Sequence, residues 1–175
     1  GLEGKQLSEM ASLKQAGAVA VSNAFAPIPN TNVLRRALEY AASLDLTVIY
    51  HPEIPGLVNN GCAHEGPIST RLGLPGIPEA AETSAIGLVL PLVEHCGARL
   101  HFARVSTARG MNMIRRARYD NLNVSADVCA HQLFLTEMDI ADFNPLCHTH
   151  PPLRSVRDRD ALRASLSEHG IQAIC

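Results

Sequence analysis

Apolar and polar positions along the chain switch repeatedly between helical and strand spacing. Apolar residues recur every three or four positions before Gly17, and an apolar stretch, 18–22, follows at once. This alternation of helical spacing and short apolar stretches repeats to the end of the chain. It predicts helices over 5–16, 32–43, 78–95, 108–119 and 156–169, a shorter one over 137–142, and strands over 18–22, 47–50, 99–104, 123–128 and 171–175.

Helices that alternate with short, almost continuously apolar strands are typical of a parallel sheet covered by helices. No linker or low-complexity stretch interrupts the pattern, so we predict one α/β domain over 1–175. The residues leave two architectures open: a doubly wound sheet, or part of a barrel whose usual length is about 250 residues. Residues 52–77 predict a long loop, which in a compact domain is usually functional.

The composition argues against several classes of partner. The formal net charge is −2, aromatic residues make up 4%, and no basic stripe is present, so we expect no nucleic-acid partner. No apolar run reaches the length of a membrane span, and the first residues do not resemble a signal peptide. The five cysteines are scattered without a C-x-x-C spacing, which favours a reducing, cytoplasmic setting.

The best single candidate for a functional side chain is His51, which follows the predicted strand 47–50. In a parallel sheet or barrel, the carboxyl ends of the strands line the crevice where ligands bind. Three other strand ends offer Asn23, Arg104 and His131. We interpret these four as a poor metal site, because a guanidinium cannot be deprotonated and repels a divalent cation.

Two short His-containing pairs offer further metal ligands. They are Cys129 with His131, and His148 with His150. Neither pair matches a strong zinc spacing, and histidines and cysteines on loops are more often structural. These residues alone therefore do not predict a zinc site.

Several stretches together resemble the bacterial-type dihydroorotases of the amidohydrolase superfamily. They are LRRALEYA at 34–41, VIYHPE at 48–53, HEGPISTRLGLPGIP at 64–78, VST at 105–107 and PPLR at 151–154. The fifteen-residue stretch that begins at His64 is the most specific. The resemblance implies a TIM-like metallo-dependent hydrolase barrel, (β/α)8, of which this chain supplies only the central to C-terminal strands.

The resemblance also implies a reaction. The family catalyses the reversible cyclisation of N-carbamoyl-aspartate to dihydroorotate in pyrimidine biosynthesis. A zinc-bound hydroxide attacks the amide carbonyl in the hydrolytic direction, and an Asp on the last strand moves the proton. In this comparison the family's first-strand His-x-His-x-Arg would precede Gly1, and that Asp would follow Cys175.

The chain departs from the family at the metal ligands. The family's bridging carboxylate belongs to a motif that falls on residues 23–25, beginning at Asn23, and its histidine before Val-Ser-Thr falls on Arg104. The substrate-facing Asn falls on His150, whereas His51 matches a family ligand. Two of the three metal ligands expected in this window are therefore lost, and a cation stands where a two-metal centre needs a neutral donor.

The resemblance then favours a non-catalytic protein. Degenerate dihydroorotase homologues hold the catalytic trimers of aspartate transcarbamoylase in a larger assembly. We expect that role here, with that partner, an oligomeric state and no bound cofactor. The alternative is an active zinc-dependent dihydroorotase with an altered metal site that uses His51 and recruits His131 or His150. A third interpretation is a barrel that keeps its small-molecule pocket without the chemistry.

Overall fold

The structure is a computed structural model and describes residues 4–24, 26–168 and 170–175. The helices of the described chain are α1 Met10–Gln15, α2 Thr31–Ser43, α3 Pro55–Val58, α4 Pro67–Leu72, α5 Ala80–Cys96, α6 Ala108–Tyr119 and α7 Val156–Ser167. The strands are β1 Ala20–Ser22, β2 Thr47–Tyr50, β3 Ala63–His64, β4 Gly76–Ile77, β5 Arg99–Phe102, β6 Val124–Val128 and β7 Ala173–Ile174. Short 3-10 helices span Ala130–Leu133, Glu137–Ile140 and Pro145–Cys147.

The main sheet has five parallel strands in the order β1-β2-β5-β6-β7. Apart from β3 and β4, which form a separate sheet, the strands lie side by side in the same order in which they occur in the sequence. A doubly wound sheet would instead reverse its strand order at a switch point. The uninterrupted order is that of consecutive strands in a (β/α) barrel, so the structure decides between the two architectures in favour of a barrel segment.

The two faces of the main sheet differ in burial. Val48, Leu100 and Phe102 point to one face and pack in the main apolar core with residues of α2, α5 and α6. The residues that alternate with them, such as His101 and Asp127, are only partly buried. The second face corresponds to the interior of a barrel, where inward-pointing side chains meet.

Local sequence explains where several helices begin and end. The Asn30 side chain accepts hydrogen bonds from the backbone N–H groups of Asn32 and Val33 at 2.9 and 3.3 Å, which caps α2. The Ser155 hydroxyl and the Asp158 carboxylate form a capping box at the start of α7. These caps satisfy backbone donors that would otherwise lack partners in the first turn.

The prediction of one long loop over 52–77 was wrong. The segment contains α3 and α4, and β3 pairs with β4 in a small parallel sheet. A satellite core lies beside it, formed by Ala63, Ile68, Ile140, Cys147 and Leu153. Two-residue strands and a four-residue helix are too short to produce a recognisable period, so hydrophobic spacing could not reveal them. Loop length therefore no longer argues for a functional role.

Several other predicted elements are shorter in the structure than the sequence pattern indicated. The first predicted helix shrinks to α1, Met10–Gln15, and the last predicted strand shrinks to β7, Ala173–Ile174. The shorter helix predicted over 137–142 is a single 3-10 turn. Two predicted positions, Phe25 at the first strand end and His169 at the last helix end, lie outside the described residues.

Candidate functional site

Asn23 and His51 lie side by side where β1 and β2 end. The Asn23 side-chain oxygen accepts a hydrogen bond from the His51 backbone N–H at 2.9 Å, and Asn23 Nδ2 donates to the His51 carbonyl at 3.3 Å. These two side-chain bonds thus take the place of backbone hydrogen bonds and extend the pairing of the two parallel strands. Both polar groups of the Asn23 side chain are used by the main chain, so this residue fastens the strand ends together.

His51, Glu53 and His150 converge beside that pair. The Glu53 carboxylate lies 3.5 Å from His51 Nε2 and accepts a hydrogen bond from His150 Nε2 at 2.5 Å. The centres of the two imidazole rings are 5.4 Å apart. Burial alone would raise the pKa of the Glu53 carboxyl, but the hydrogen bond from His150 and the nearby His51 ring outweigh it and lower that pKa to about 2. Glu53 is therefore a carboxylate at physiological pH.

The segment that carries His150 is held in place by hydrogen bonds from Gln132. The buried Gln132 side chain donates hydrogen bonds to the carbonyls of Pro151 and Pro152 at 3.2 and 3.1 Å. Gln132 belongs to the 3-10 helix that directly follows β6, so the end of that strand fixes the approach of His150 to Glu53. His150 itself remains exposed, whereas the His51 side chain is 5% exposed.

A second polar cluster occupies β5 and β6. His101 Nε2 lies 2.9 Å from the Asp127 carboxylate, and its Nδ1 lies 2.7 Å from the Ser125 hydroxyl. The Arg104 backbone N–H donates to Asp127 at 2.7 Å. Burial would raise the pKa of Asp127, but the hydrogen bonds from His101 and from the Arg104 N–H lower it. Asp127 therefore acts as an anionic anchor for the chain that leaves β5.

The other predicted site residues, Arg104 and His131, follow β5 and β6. Arg104 adopts a left-handed backbone conformation with φ of 59°. His131 lies within the 3-10 helix after β6, and its pKa is lowered by burial and by the positive charge of Arg104. His148, the partner of His150 in the sequence pattern, is exposed. In the described residues, His51 and His150 are thus the two predicted histidines that meet.

The family's two-zinc site does not fit the residues that stand in its place. The Asn23 amide is neutral, and both of its polar ends are occupied by the His51 main chain. Arg104 carries a permanent positive charge, which a divalent cation repels. Within the described chain, His51 alone retains the donor type that the resemblance assigns. No metal-dependent step can be derived for this set.

A buried network lies behind the strand ends and was missed by the sequence analysis. The Glu82 carboxylate, on α5, accepts hydrogen bonds from the backbone N–H and the hydroxyl of Ser106 at 2.8 and 2.6 Å, and from those of Thr107 at 3.0 and 2.6 Å. All three side chains are at least nine-tenths buried. Four donors on one buried carboxylate satisfy its lone pairs and bind the turn after β5 to α5.

Arg154 extends this network to β3 and β4. Its guanidinium donates to the Ser106 hydroxyl at 3.0 Å and to the Ile77 carbonyl at 2.9 Å, and lies 3.1 Å from His64 Nδ1. Asp158 accepts from the Ala108 backbone N–H at 2.9 Å. The stretches that carry the family resemblance, 64–78, 105–107 and 151–154, therefore meet in a shared structural network. The sequence offered one hint: Glu82 and Asp158 each lie near the start of a predicted helix.

Comparison with solved structures shows which known fold the chain shares. The fold matches an L-hydantoinase (dihydropyrimidinase) from Arthrobacter aurescens with a TM-score of 0.79 at 20% identity, over 95% of this chain and 39% of that chain. A dihydroorotase from Campylobacter jejuni matches with a TM-score of 0.64 at 15% identity, over 89% of this chain and 43% of that chain. The chain therefore has the fold of part of a TIM-like (β/α) barrel, which it shares with these structures.

Sequence comparison identifies the family. The family model described as "Dihydro-orotase-like" matches residues 1–109, more than half of the chain. The chain belongs to this dihydroorotase-like family. A relative called "Dihydroorotase-like protein" from Pseudomonas putida is 49% identical over 99% of this chain, and a "Dihydroorotase" from Syntrophobacter fumaroxidans is 44% identical over 99%. The chain spans about 40% of the length of these relatives.

None of the helices in the described part of the chain combines the length and the apolar character that a membrane crossing requires.

Proposed function

We propose that the protein containing this chain is a cytoplasmic, dihydroorotase-like protein of pyrimidine biosynthesis that does not catalyse the dihydroorotase reaction. We further propose that it supports the assembly of aspartate transcarbamoylase as an oligomeric structural partner. The assignment to pyrimidine biosynthesis rests on the family. The non-catalytic role rests on the substitutions at the carboxyl ends of the strands.

The observation that carries this proposal is the pairing of Asn23 with the His51 main chain. A carboxylate at this position could bridge two metal ions, whereas this amide is neutral and spends both polar ends on a structural ladder. Arg104 adds a positive charge at the position of another family ligand. Both changes disfavour a two-zinc centre.

The buried network supports the structural part of the proposal. Arg154 binds Ser106 and the Ile77 carbonyl, which joins three segments that carry the resemblance, and Glu82 ties Ser106 to α5. These contacts hold the barrel and involve no metal ligand, so they do not depend on catalysis. A barrel of this kind could keep its outer surface for a partner. The five cysteines are all free, which agrees with a reducing compartment.

A second candidate function is an active zinc-dependent dihydroorotase with an altered metal site. It is favoured by the convergence of His51, Glu53 and His150, which are ligand types that zinc accepts. The two candidates predict opposite behaviour in solution, so one set of measurements separates them.

The test uses the full-length protein that contains this chain. Purified protein, with zinc added, would be assayed for hydrolysis of dihydroorotate and for cyclisation of N-carbamoyl-aspartate. In parallel, it would be mixed with the aspartate transcarbamoylase of the same organism and analysed by gel filtration with light scattering. We expect no turnover above the background and a stable joint complex. Zinc-dependent turnover would overturn the non-catalytic role, and separate elution would overturn the partner.

A further inference from the structure

The cluster of His51, Glu53 and His150 is the one group of at least three potential metal ligands that converges within the described residues. One donor atom from each side chain lies within 4.8 Å of the others. Asn23 and Arg104 take no part in it, and the sequence resemblance assigns neither Glu53 nor His150 as a ligand. The cluster is therefore a different donor set from the one that the family comparison implies.

We propose that His51, Glu53 and His150 bind one divalent transition-metal ion of the Zn²⁺ type. Two imidazoles and a carboxylate are the mixed nitrogen and oxygen donors that such ions accept. Three protein ligands leave a fourth position for water or for a further donor. The proposal is independent of the role proposed above, since a metal bound here requires no turnover.

The hydrogen bonding of His51 points the right nitrogen at the cluster. His51 Nδ1 lies 3.4 Å from the Ala103 carbonyl oxygen, which can only accept a hydrogen bond. A proton kept on Nδ1 by this carbonyl leaves Nε2 as the nitrogen that can bind an ion placed between His51 and Glu53. Histidine ligands of metals commonly donate their other ring N–H to a backbone carbonyl in this way.

The two ligand-atom separations that involve Glu53 lie close to those of a metal site. With bonds of about 2.0–2.2 Å in a tetrahedral arrangement, neighbouring ligand atoms lie about 3.3 Å apart. The separation of 3.5 Å between His51 Nε2 and Glu53 already meets that value. The 2.5 Å separation between His150 and Glu53 would have to open by about 0.8 Å. His150 is exposed and can move outward, whereas the buried His51 need not move.

The supporting contacts around the cluster are those of a pre-organised site. Asn23 fixes the backbone of His51, and Gln132 fixes the segment of His150 through the carbonyls that follow it. Two of the three ligands thus project from anchored chain. Such anchoring reduces the ordering cost of metal binding.

The bland explanation is that Glu53 simply forms charged hydrogen bonds with the two histidines. It predicts that removing His150 leaves metal affinity unchanged. His150→Asn is the sharpest variant, because His150 is exposed and its loss should not unfold the protein. Glu53→Gln tests the carboxylate. His148→Asn is the matched control, since His148 is an exposed histidine two positions away on the same segment.

The experiment uses the full-length protein after removal of metal with a chelator. Zn²⁺ affinity would be measured by competition with a chromophoric chelator, and Co²⁺ would be added to record the visible absorption of the bound ion. Circular dichroism would confirm that each variant is folded. Loss of a group that merely orients a ligand costs about 10–100-fold in affinity, so loss of His150 or Glu53 should weaken binding by more than about 100-fold. His148→Asn should bind as the wild type does.

Two results would overturn the proposal. One is a wild-type protein that takes up neither Zn²⁺ nor Co²⁺. The other is metal binding that survives both His150→Asn and Glu53→Gln, which would place the ion elsewhere in the protein. His51→Asn alone does not distinguish the proposed site from the metal site of the family, because His51 occupies a ligand position in both. Dihydroorotate hydrolysis and complex formation are separate readouts, so failure of either leaves this test interpretable.

Discussion

Gly110 lies directly against the carboxylate of Glu82. A Cβ added at Gly110 would come within 2.6 Å of Glu82 Oε1 and 2.8 Å of Thr107 Oγ1. Both groups are buried and hydrogen-bonded to each other, so neither can move away cheaply. The buried network of Glu82, Ser106 and Thr107 therefore depends on the absence of a side chain at Gly110, in the first turn of α6.

Replacement of Gly110 by alanine should destabilise the protein. Alanine in a helix interior usually stabilises by about 0.5–1 kcal/mol relative to glycine, but the clash with Glu82 should reverse the sign and cost about 1–3 kcal/mol. Gly87→Ala on α5 is the matched control, because its Cβ would meet only the flexible end of Met113 at 3.4 Å. Urea unfolding of the full-length proteins measures both. Equal stability of the two variants would contradict the prediction.

Glu82→Gln should be strongly destabilising. The Glu82 carboxylate accepts four hydrogen bonds from Ser106 and Thr107. Glutamine has only one accepting oxygen, and its NH₂ group would face donors of Ser106 or Thr107. Leaving buried donors without acceptors should lower the free energy of unfolding by about 3–5 kcal/mol. Glu94→Gln, an exposed change on the same helix, should remain within about 0.5 kcal/mol of the wild type.

His64 should make stability fall as the solution becomes acidic. Burial and the adjacent Arg154 lower the pKa of His64 below its ordinary value of 6.5. Below pH 6.5 the unfolded chain binds a proton that the folded chain resists, so the free energy of unfolding decreases as the pH falls. The loss is complete once the pH passes below the folded pKa.

The contribution of His64 can be isolated with His64→Gln, which keeps an acceptor for Arg154. Urea unfolding at several pH values between 7.5 and 5 should give a flatter pH dependence for this variant, by at most about 1.4 kcal/mol per pH unit. His148→Gln serves as the comparison, because that histidine is exposed. A His64→Gln profile parallel to that of the wild type would refute the assignment.

Asn23→Asp, which puts a carboxylate at the family position, should destabilise the metal-free protein. One carboxylate oxygen could still accept from the His51 N–H, but the other would replace Nδ2 and face the His51 carbonyl at about 3.3 Å. The repulsion should cost about 1–3 kcal/mol at neutral pH and shrink when the carboxyl is protonated. Asn123→Asp, at an exposed position, is the control. Thermal unfolding with and without acid checks the pattern; unchanged stability would show that the amide is not needed.

Hydrophobic spacing predicted the core elements because their sequences carry a complete local period. Strand Thr47–Tyr50 and helix Ala108–Tyr119 have the bounds that the sequence predicted. The parallel class also followed from the strict alternation of helices and strands. The sequence could not distinguish a barrel segment from a doubly wound sheet, since local patterns do not record which strands become neighbours.

The sequence by itself determined the elements, the family resemblance and the place of His51 at the end of its strand. Only the tertiary structure brought His51 together with Glu53 and His150, and Glu82 together with Ser106 and Thr107. Such contacts join segments that lie far apart in sequence, and they arise when parallel strands place their carboxyl ends at one edge. Spacing along the chain carries no information about them, so the sequence could name candidates but could not decide which of them meet.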